Sequence, residues 1–276
     1  MYYCKNKNLI KPIFNKFMKN RNKLDNSIIL ILIFFILILI NSCKKDNNNS
    51  TIETGTLTDI EGNIYKTVKI GTQWWMTENL KVTRYRNGDS IIYVSYINYD
   101  LDSAKWNNLT SGAYCIISSL DSTSQNYQGK LFGFLYNGYS VSDIRNLAPQ
   151  GWHIPSDDEW KLLEENLGMS VDDANKMNWR GTDEGNKMKI YTGWKTPSDI
   201  YNTWGTNESG FSAIGGGCCM FFGVWGDPGT FSTGFWWTSS KYNNKPLYRY
   251  LDYNKPNIFR YYGSNTYGFS IRCVKD

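Results

Sequence analysis

The sequence predicts an α+β domain of small twisted antiparallel sheets with one or two helices and long loops. Three observations point there. Aromatic residues are abundant, with 11 Trp, 20 Tyr and 13 Phe, and they are interleaved with 24 Gly, a mixture that suits short strands and turns better than a helical bundle. One strong helix start stands at Ser156, and the last third is strand-forming runs broken by Gly. A length of 276 residues fits one ordinary domain plus processing segments.

Residues 1–42 read as a signal peptide. Ile28 to Ile40 is an unbroken apolar run of 13 residues, about 20 Å as a helix and short of the ~30 Å bilayer core. Basic residues precede it and polar residues follow, the grammar of a secretory leader. Met18, followed by Lys19-Asn20-Arg21, is a more typical leader start than Met1. The run ends Ile40-Asn41-Ser42-Cys43, which resembles the lipobox of bacterial lipoproteins. That resemblance implies that Cys43 carries palmitate-like acyl chains and becomes the new N-terminus. The membrane is then a partner through that lipid, and the protein sits at the cell envelope, in the outer membrane, facing periplasm or surface. The leader holds seven basic residues and one acid, leaving 23 basic and 24 acidic residues beyond it. The formal charge of +5 therefore belongs to the leader, and no clustered Lys/Arg surface argues for nucleic acid.

Residues 43–55 are read as the lipidated cysteine and a flexible tether, of which 44–51 hold no apolar residue to bury. The globular domain spans 56–276. Residues 57–70 hold a Gly62-Asn63 turn between strand formers and predict a hairpin with one buried face. Gly71-Thr72 turns the chain into Gln73-Trp74-Trp75-Met76 and completes a meander. Ser156-Asp157-Asp158-Glu159 is a capping box whose acids suit the positive end of the helix dipole. Trp160, Leu163 and Leu167 recur at helical spacing, and Gly168 ends the helix. Shorter helices are predicted over 171–177 and 184–189. Strands are predicted over 210–213, 235–240, 247–251, 257–262 and 268–274.

Several segments together resemble the Fibrobacter succinogenes major paralogous domain, a family common in lipoproteins. They are Thr58-Asp59-Ile60-Glu61-Gly62-Asn63-Ile64-Tyr65, Ile70 through Lys81, Gly112-Ala113-Tyr114-Cys115, Ala148 through Ser156, Trp237-Thr238-Ser239-Ser240 and Gly268 through Asp276. More distantly, the second half resembles the C-type lectin-like fold of the formylglycine-generating enzyme. That likeness implies a loop-rich α+β domain and says nothing of activity.

His153 is the only histidine, so a Ser-His-Asp triad has one candidate base, and a turn before a helix suits a structural His better. No catalytic residue, metal ligand set or cofactor site is assigned. Lys255-Pro256-Asn257 puts a cation where a lectin's Ca²⁺ site requires a carboxylate. Cys115, Cys218, Cys219 and Cys273 are candidate disulfide cysteines, with Cys273 expected to pair with Cys115 or one of the adjacent two, because Cys218–Cys219 is poor disulfide geometry. Copper-dependent oxidase chemistry is disfavoured because that enzyme's paired cysteines are separated by several residues. Trp236, Trp237, Tyr248, Tyr250, Tyr261 and Tyr262 are candidate binding aromatics. Adjacent strand residues face opposite sides, so one of Trp74/Trp75 and one of Trp236/Trp237 should leave the core; the competing reading is that loops cover both faces. The function expected is a non-catalytic binding module for a glycan or an envelope or extracellular protein. The alternatives are an enzyme of the formylglycine-generating type and a purely structural envelope protein.

Overall fold

The computed structural model describes residues 52–94, 96–97, 100–101, 103–116, 131–191, 194, 205–219 and 232–276. The chain divides into two compact units, 1–51 and 52–276, and the described residues belong to the second. The leader, Cys43 and tether residues 44–51 lie outside the described residues. Among the described residues no helix is long and apolar enough to cross a membrane.

The architecture is α+β. The first sheet begins with the expected meander, β1 (Thr54–Thr58), β2 (Ile64–Ile70) and β3 (Gln73–Met76). It starts at Thr54, so the last two residues of the predicted tether already pair in the sheet. Between β1 and β2 the Asp59 carboxylate accepts from the backbone N–H of Glu61 and Asn63, both at 2.9 Å. Gly62 takes φ +81° there, a conformation that favours glycine. The hairpin has two buried faces rather than one: Tyr65 and Thr67 are buried on one side, Val68 and Ile70 on the other end of the strand. Tyr65 joins one apolar cluster and Val68 and Ile70 join a second, so β2 runs between two cores.

Two strands from far along the chain complete this sheet: β15 (Val274–Lys275) and β9 (Trp152–His153), in the order β1-β2-β3-β15-β9. A second sheet holds β10 (Asn178–Arg180), β13 (Ile258–Tyr262), β12 (Lys245–Asp252) and β11 (Thr233–Tyr242), in that order and all antiparallel. A third has the order β14-β8-β7-β4, with β14 (Gly268–Phe269), β8 (Leu135–Asn137), β7 (Ala113–Cys115) and β4 (Ile92–Tyr93). Its β4–β7 pair is parallel. A small antiparallel pair, β5 (Tyr96–Ile97) and β6 (Asp100–Leu101), precedes helix α1 (Ser103–Asn107).

The principal helix is α3 (Asp157–Asn166), after α2 (Gly138–Val141). Its capping box is present as read: Ser156 Oγ accepts from Glu159 N, and the Glu159 carboxylate accepts from Ser156 N at 2.7 Å. Gly168 follows at φ +110°. The weaker helices are shorter than expected, α4 (Val171–Ala174) and α5 (Glu184–Met188). The run 210–213 is not a strand; it makes a single bridge through Ala213 to Lys189. The predicted 268–274 strand is divided among partners. Gly268 and Phe269 pair with β8, Ser270 bridges Trp236, and Val274 pairs with both β3 and β9. This segment ties all three sheets together.

Candidate functional site

Trp236 and Trp237 are both fully buried, which corrects the expectation that one faces outward. The alternation along β11 is intact, but both faces of the strand are covered. Trp236 lies in the core beneath α3, with Phe211 at 6.4 Å, and Trp237 lies in the other core, 4.3 Å from Phe269. Each indole N–H has an acceptor: Trp236 donates to Asn79 Oδ1 at 2.9 Å and Trp237 to the Tyr136 carbonyl at 2.7 Å. Trp75 is buried against Trp160, ring centroids 5.0 Å apart, while Trp74 is half-buried. Tyr248 is buried as well. These side chains are core, not platform.

Tyr250, Tyr261 and Tyr262 are half-exposed, and the structure gives them neighbours that the sequence did not reveal. Strand register places Trp179 opposite Phe259, Phe259 opposite Tyr250, and Tyr250 opposite Phe235. This aromatic row crosses all four strands of the second sheet. Phe235 and Tyr250 stack at 4.4 Å, and Trp179 contacts Tyr250 at 5.1 Å and Phe259 at 5.3 Å. The Phe235 end is buried and the Trp179–Phe259–Tyr250 end half-exposed. By alternation Tyr261 shares the face of this row, whereas Tyr262 leaves β13 on the Arg260 side; the two rings stack at 4.5 Å, and Tyr262 stacks on exposed Tyr242 at 5.2 Å. Cations lie over rings on both sides of the sheet. Lys255 lies over the Trp179 ring at 6.0 Å and Lys245 over Tyr262 at 5.7 Å. The Tyr250 hydroxyl donates to the Asp252 carboxylate. Burial first, and then Asp252, push the Tyr250 hydroxyl's pKa upward, so it stays a neutral donor. Trp179, Phe259, Phe235 and Tyr242 are the aromatics missed from sequence; Trp179 is carried by a short strand far from the others in the chain.

The single histidine is a structural tie. His153 Nδ1 lies 2.6 Å from Asp276 Oδ1, and Nε2 lies 2.8 Å from Glu159 Oε1. Both ring nitrogens are engaged by carboxylates, and Glu159 is itself committed to the capping box. Burial works against the imidazolium, but the hydrogen bonds to Asp276 and Glu159 outweigh it and raise the pKa. A raised folded-state pKa means stabilisation that is present below the unfolded value of about 6.5 and lost as pH rises through the folded value. His153→Gln is therefore expected to cost more thermal stability near pH 6 (about half a unit below that reference) than near pH ~9. Melting curves of both proteins across that range test this, and an equal cost at both ends refutes it.

The cysteine expectation needs correction. Cys273 lies in the core of Met76 and Ile271, where its backbone N–H donates to Met76 Sδ at 3.2 Å. The sulfurs that meet are those of Cys115 and Cys219, 3.1 Å apart.

Two further polar sites are structural. Asp157, Glu164, Arg180, Arg249 and Arg260 form a buried cluster between α3 and the second sheet. Asn79, Arg272 and Trp236 form another beneath the first. A cleft of ≈ 240 Å³ beside Asp59, Val82, Arg86 and Pro149 falls below the ~300 Å³ floor of ordinary small-molecule pockets. Its Arg86 is committed to the carbonyls of Ala148, Pro149 and Trp152. Among the described residues no group of three or more His, Cys, Asp or Glu is placed to hold a metal ion.

A family model described as the Fibrobacter succinogenes major domain matches residues 68–275. No curated protein and no solved structure matches the chain.

Proposed function

The chain belongs to the Fibrobacter succinogenes major domain family, and on that footing we propose that it is an exported, lipid-anchored envelope protein whose domain is a non-catalytic binding module for glycan. The single observation that carries the binding reading is the aromatic row of the second sheet, half-exposed at Trp179, Phe259 and Tyr250, with half-exposed Tyr261 on the same strand face. Sugar rings present apolar C–H faces that stack on such rings, while Lys255 and Asp252 stand beside the row for hydroxyls.

The non-catalytic part is supported by where the reactive groups are spent. Both nitrogens of His153 are held by carboxylates. Burial pushes the Cys218 and Cys273 thiols above their ordinary pKa, which leaves little thiolate for nucleophilic work. Export and anchoring are supported by the short apolar run ahead of Cys43.

Glycan-array binding by the soluble 44–276 fragment tests the reading. Trp179→Ala and Tyr261→Ala should each weaken any detected binding by roughly tenfold. Tyr191→Ala, at an exposed position outside this row, should leave it unchanged. Binding that survives both substitutions sinks the platform. For anchoring, Cys43→Ala should release the protein from the membrane fraction.

A further inference from the structure

Cys115 ends β7, where it pairs with Leu135 of β8. Cys219 lies 104 residues away in sequence, and its backbone exchanges two hydrogen bonds with Gly268 of β14, at 2.9 and 2.7 Å. Both backbones are thus fixed by sheet pairing, and both side chains are buried in one small cluster with Val94, Trp106, Ala113 and Leu135. Their sulfurs are 3.1 Å apart. A disulfide bond is about 2.05 Å long, so closing the gap takes a shift of about 1 Å that side-chain rotation can supply without moving either strand.

We infer that Cys115 and Cys219 are the chain's disulfide-forming pair, an internal crosslink between the third sheet and the segment leading towards β11. The neighbouring pairings do not compete. Cys218 and Cys219 are adjacent, and Cys273 belongs to a different apolar cluster. The Cys219 thiol is held well above its usual pKa, first by the hydrogen bond with Cys115 and then by burial. The folded pair is therefore a poor exchange catalyst, and the crosslink is structural.

The electron balance requires an external disulfide as oxidant. The thiolate of one cysteine attacks it, breaking its S–S bond and releasing one thiolate. The second cysteine then displaces the other external sulfur from the mixed disulfide. One S–S bond is lost and one formed, and the two thiol protons end on the two released thiols. Burial places these steps before the core closes during folding. In the cell the oxidant rests on the export reading above, but the chemistry needs only a small-molecule disulfide.

The test separates the two. The full chain, reduced and unfolded, is refolded in detergent with glutathione disulfide, digested without reduction and mapped by mass spectrometry. The peptides of Cys115 and Cys219 should be joined, with the intact protein lighter by two hydrogens, and Cys218→Ser should retain the link. Reduction of the linked protein should lower its melting temperature by roughly 10 °C, because the crosslink closes a loop of about a hundred residues. The same link in protein recovered from the cell envelope supports the crosslink and export together. A link in the refolded chain alone supports the crosslink and counts against export. Free Cys115 and Cys219 after refolding with glutathione disulfide, or a link through Cys218 or Cys273, overturns the inference.

Discussion

Asp157→Asn is expected to cost about 3–5 kcal/mol of folding stability, the range for removing one partner of a buried ion cluster. Asp157 opens α3 with its side chain turned inward, one end of a stripe that continues through Trp160 and Leu163 to Glu164. Its Oδ1 accepts from Arg249 at 2.8 Å and from Arg260 at 2.9 Å, and its Oδ2 accepts from Arg260 at 2.6 Å. Glu164 accepts from Arg249 Nε at 2.7 Å and pairs with Arg180. Three guanidinium groups thus share two carboxylates away from water. Asn keeps the size of Asp but removes one of the two negative charges and turns an amide N–H₂ towards arginine donors. Arg260 then remains buried with no carboxylate partner and Arg249 keeps only Glu164, and that desolvation dominates the lost attraction.

Urea denaturation measures the effect, with Asp158→Asn as control. Asp158 is 91% exposed one residue along the same helix and should change stability by no more than about 0.5 kcal/mol. Equal midpoints for the two variants would remove the cluster from any account of stability. Acid supplies a second reading. Burial opposes ionisation of Asp157, but Arg260 and Arg249 outweigh it and hold its pKa below the ordinary value. A depressed folded-state pKa gives stabilisation that is present above the unfolded value of about 3.9 and lost as pH falls through the folded one. The gap between wild type and Asp157→Asn should therefore narrow on acidification below pH ~4.

The split between legible and illegible features follows the range of the signals. The β1–β2–β3 meander, the α3 capping box and the β11–β12–β13 strands rest on neighbours in sequence: a turn glycine, a Ser with Glu three residues later, alternating aromatics. Sheet partners are set by distant residues. Trp236 and Trp237 alternate as a strand requires, but nothing local says that Phe211 and Trp160 cover one face while Phe269 and Tyr136 cover the other. The Cys115–Cys219 contact and the Trp179–Phe259–Tyr250 row are likewise products of register between distant strands. One missed feature did carry a signal. Arg249 stands between Leu247 and Leu251 on the same strand face, and Arg260 stands two residues from Ile258. A cation in the apolar phase of a strand demands a buried acid, and the inward acids of α3 are those partners.

The second large effect is expected at Arg272, and there Lys should rescue no better than Met. Arg272 is fully buried, yet its hydrogen-bond acceptors are neutral. Its Nε donates to Asn79 Oδ1 at 2.9 Å, Nη2 to the Ser212 carbonyl at 2.8 Å, and Nη1 to the Phe211 carbonyl. The guanidinium lies 4.4 Å from the Phe211 ring centroid, and Trp236 donates to the same Asn79 oxygen. This fork fastens Phe211 and Ser212 of the irregular 210–213 run, whose strand-type backbone pairing is confined to the Ala213 bridge, against the core. Met removes the cost of an uncompensated buried charge but strands two backbone carbonyls. Each unsatisfied acceptor costs about 1–3 kcal/mol, and a backbone carbonyl cannot be mutated away. The acceptors therefore win, and Arg272→Met should lose roughly 2–4 kcal/mol. Lys keeps the charge but not the planar fork; its compact, strongly hydrated ammonium is costlier to bury and cannot lie flat on Phe211. Arg272→Lys should be at least as destabilised as Arg272→Met by urea midpoint at constant slope. A Lys variant within about 1 kcal/mol of wild type would show that charge alone, and not the directed fork, secures this corner of the fold.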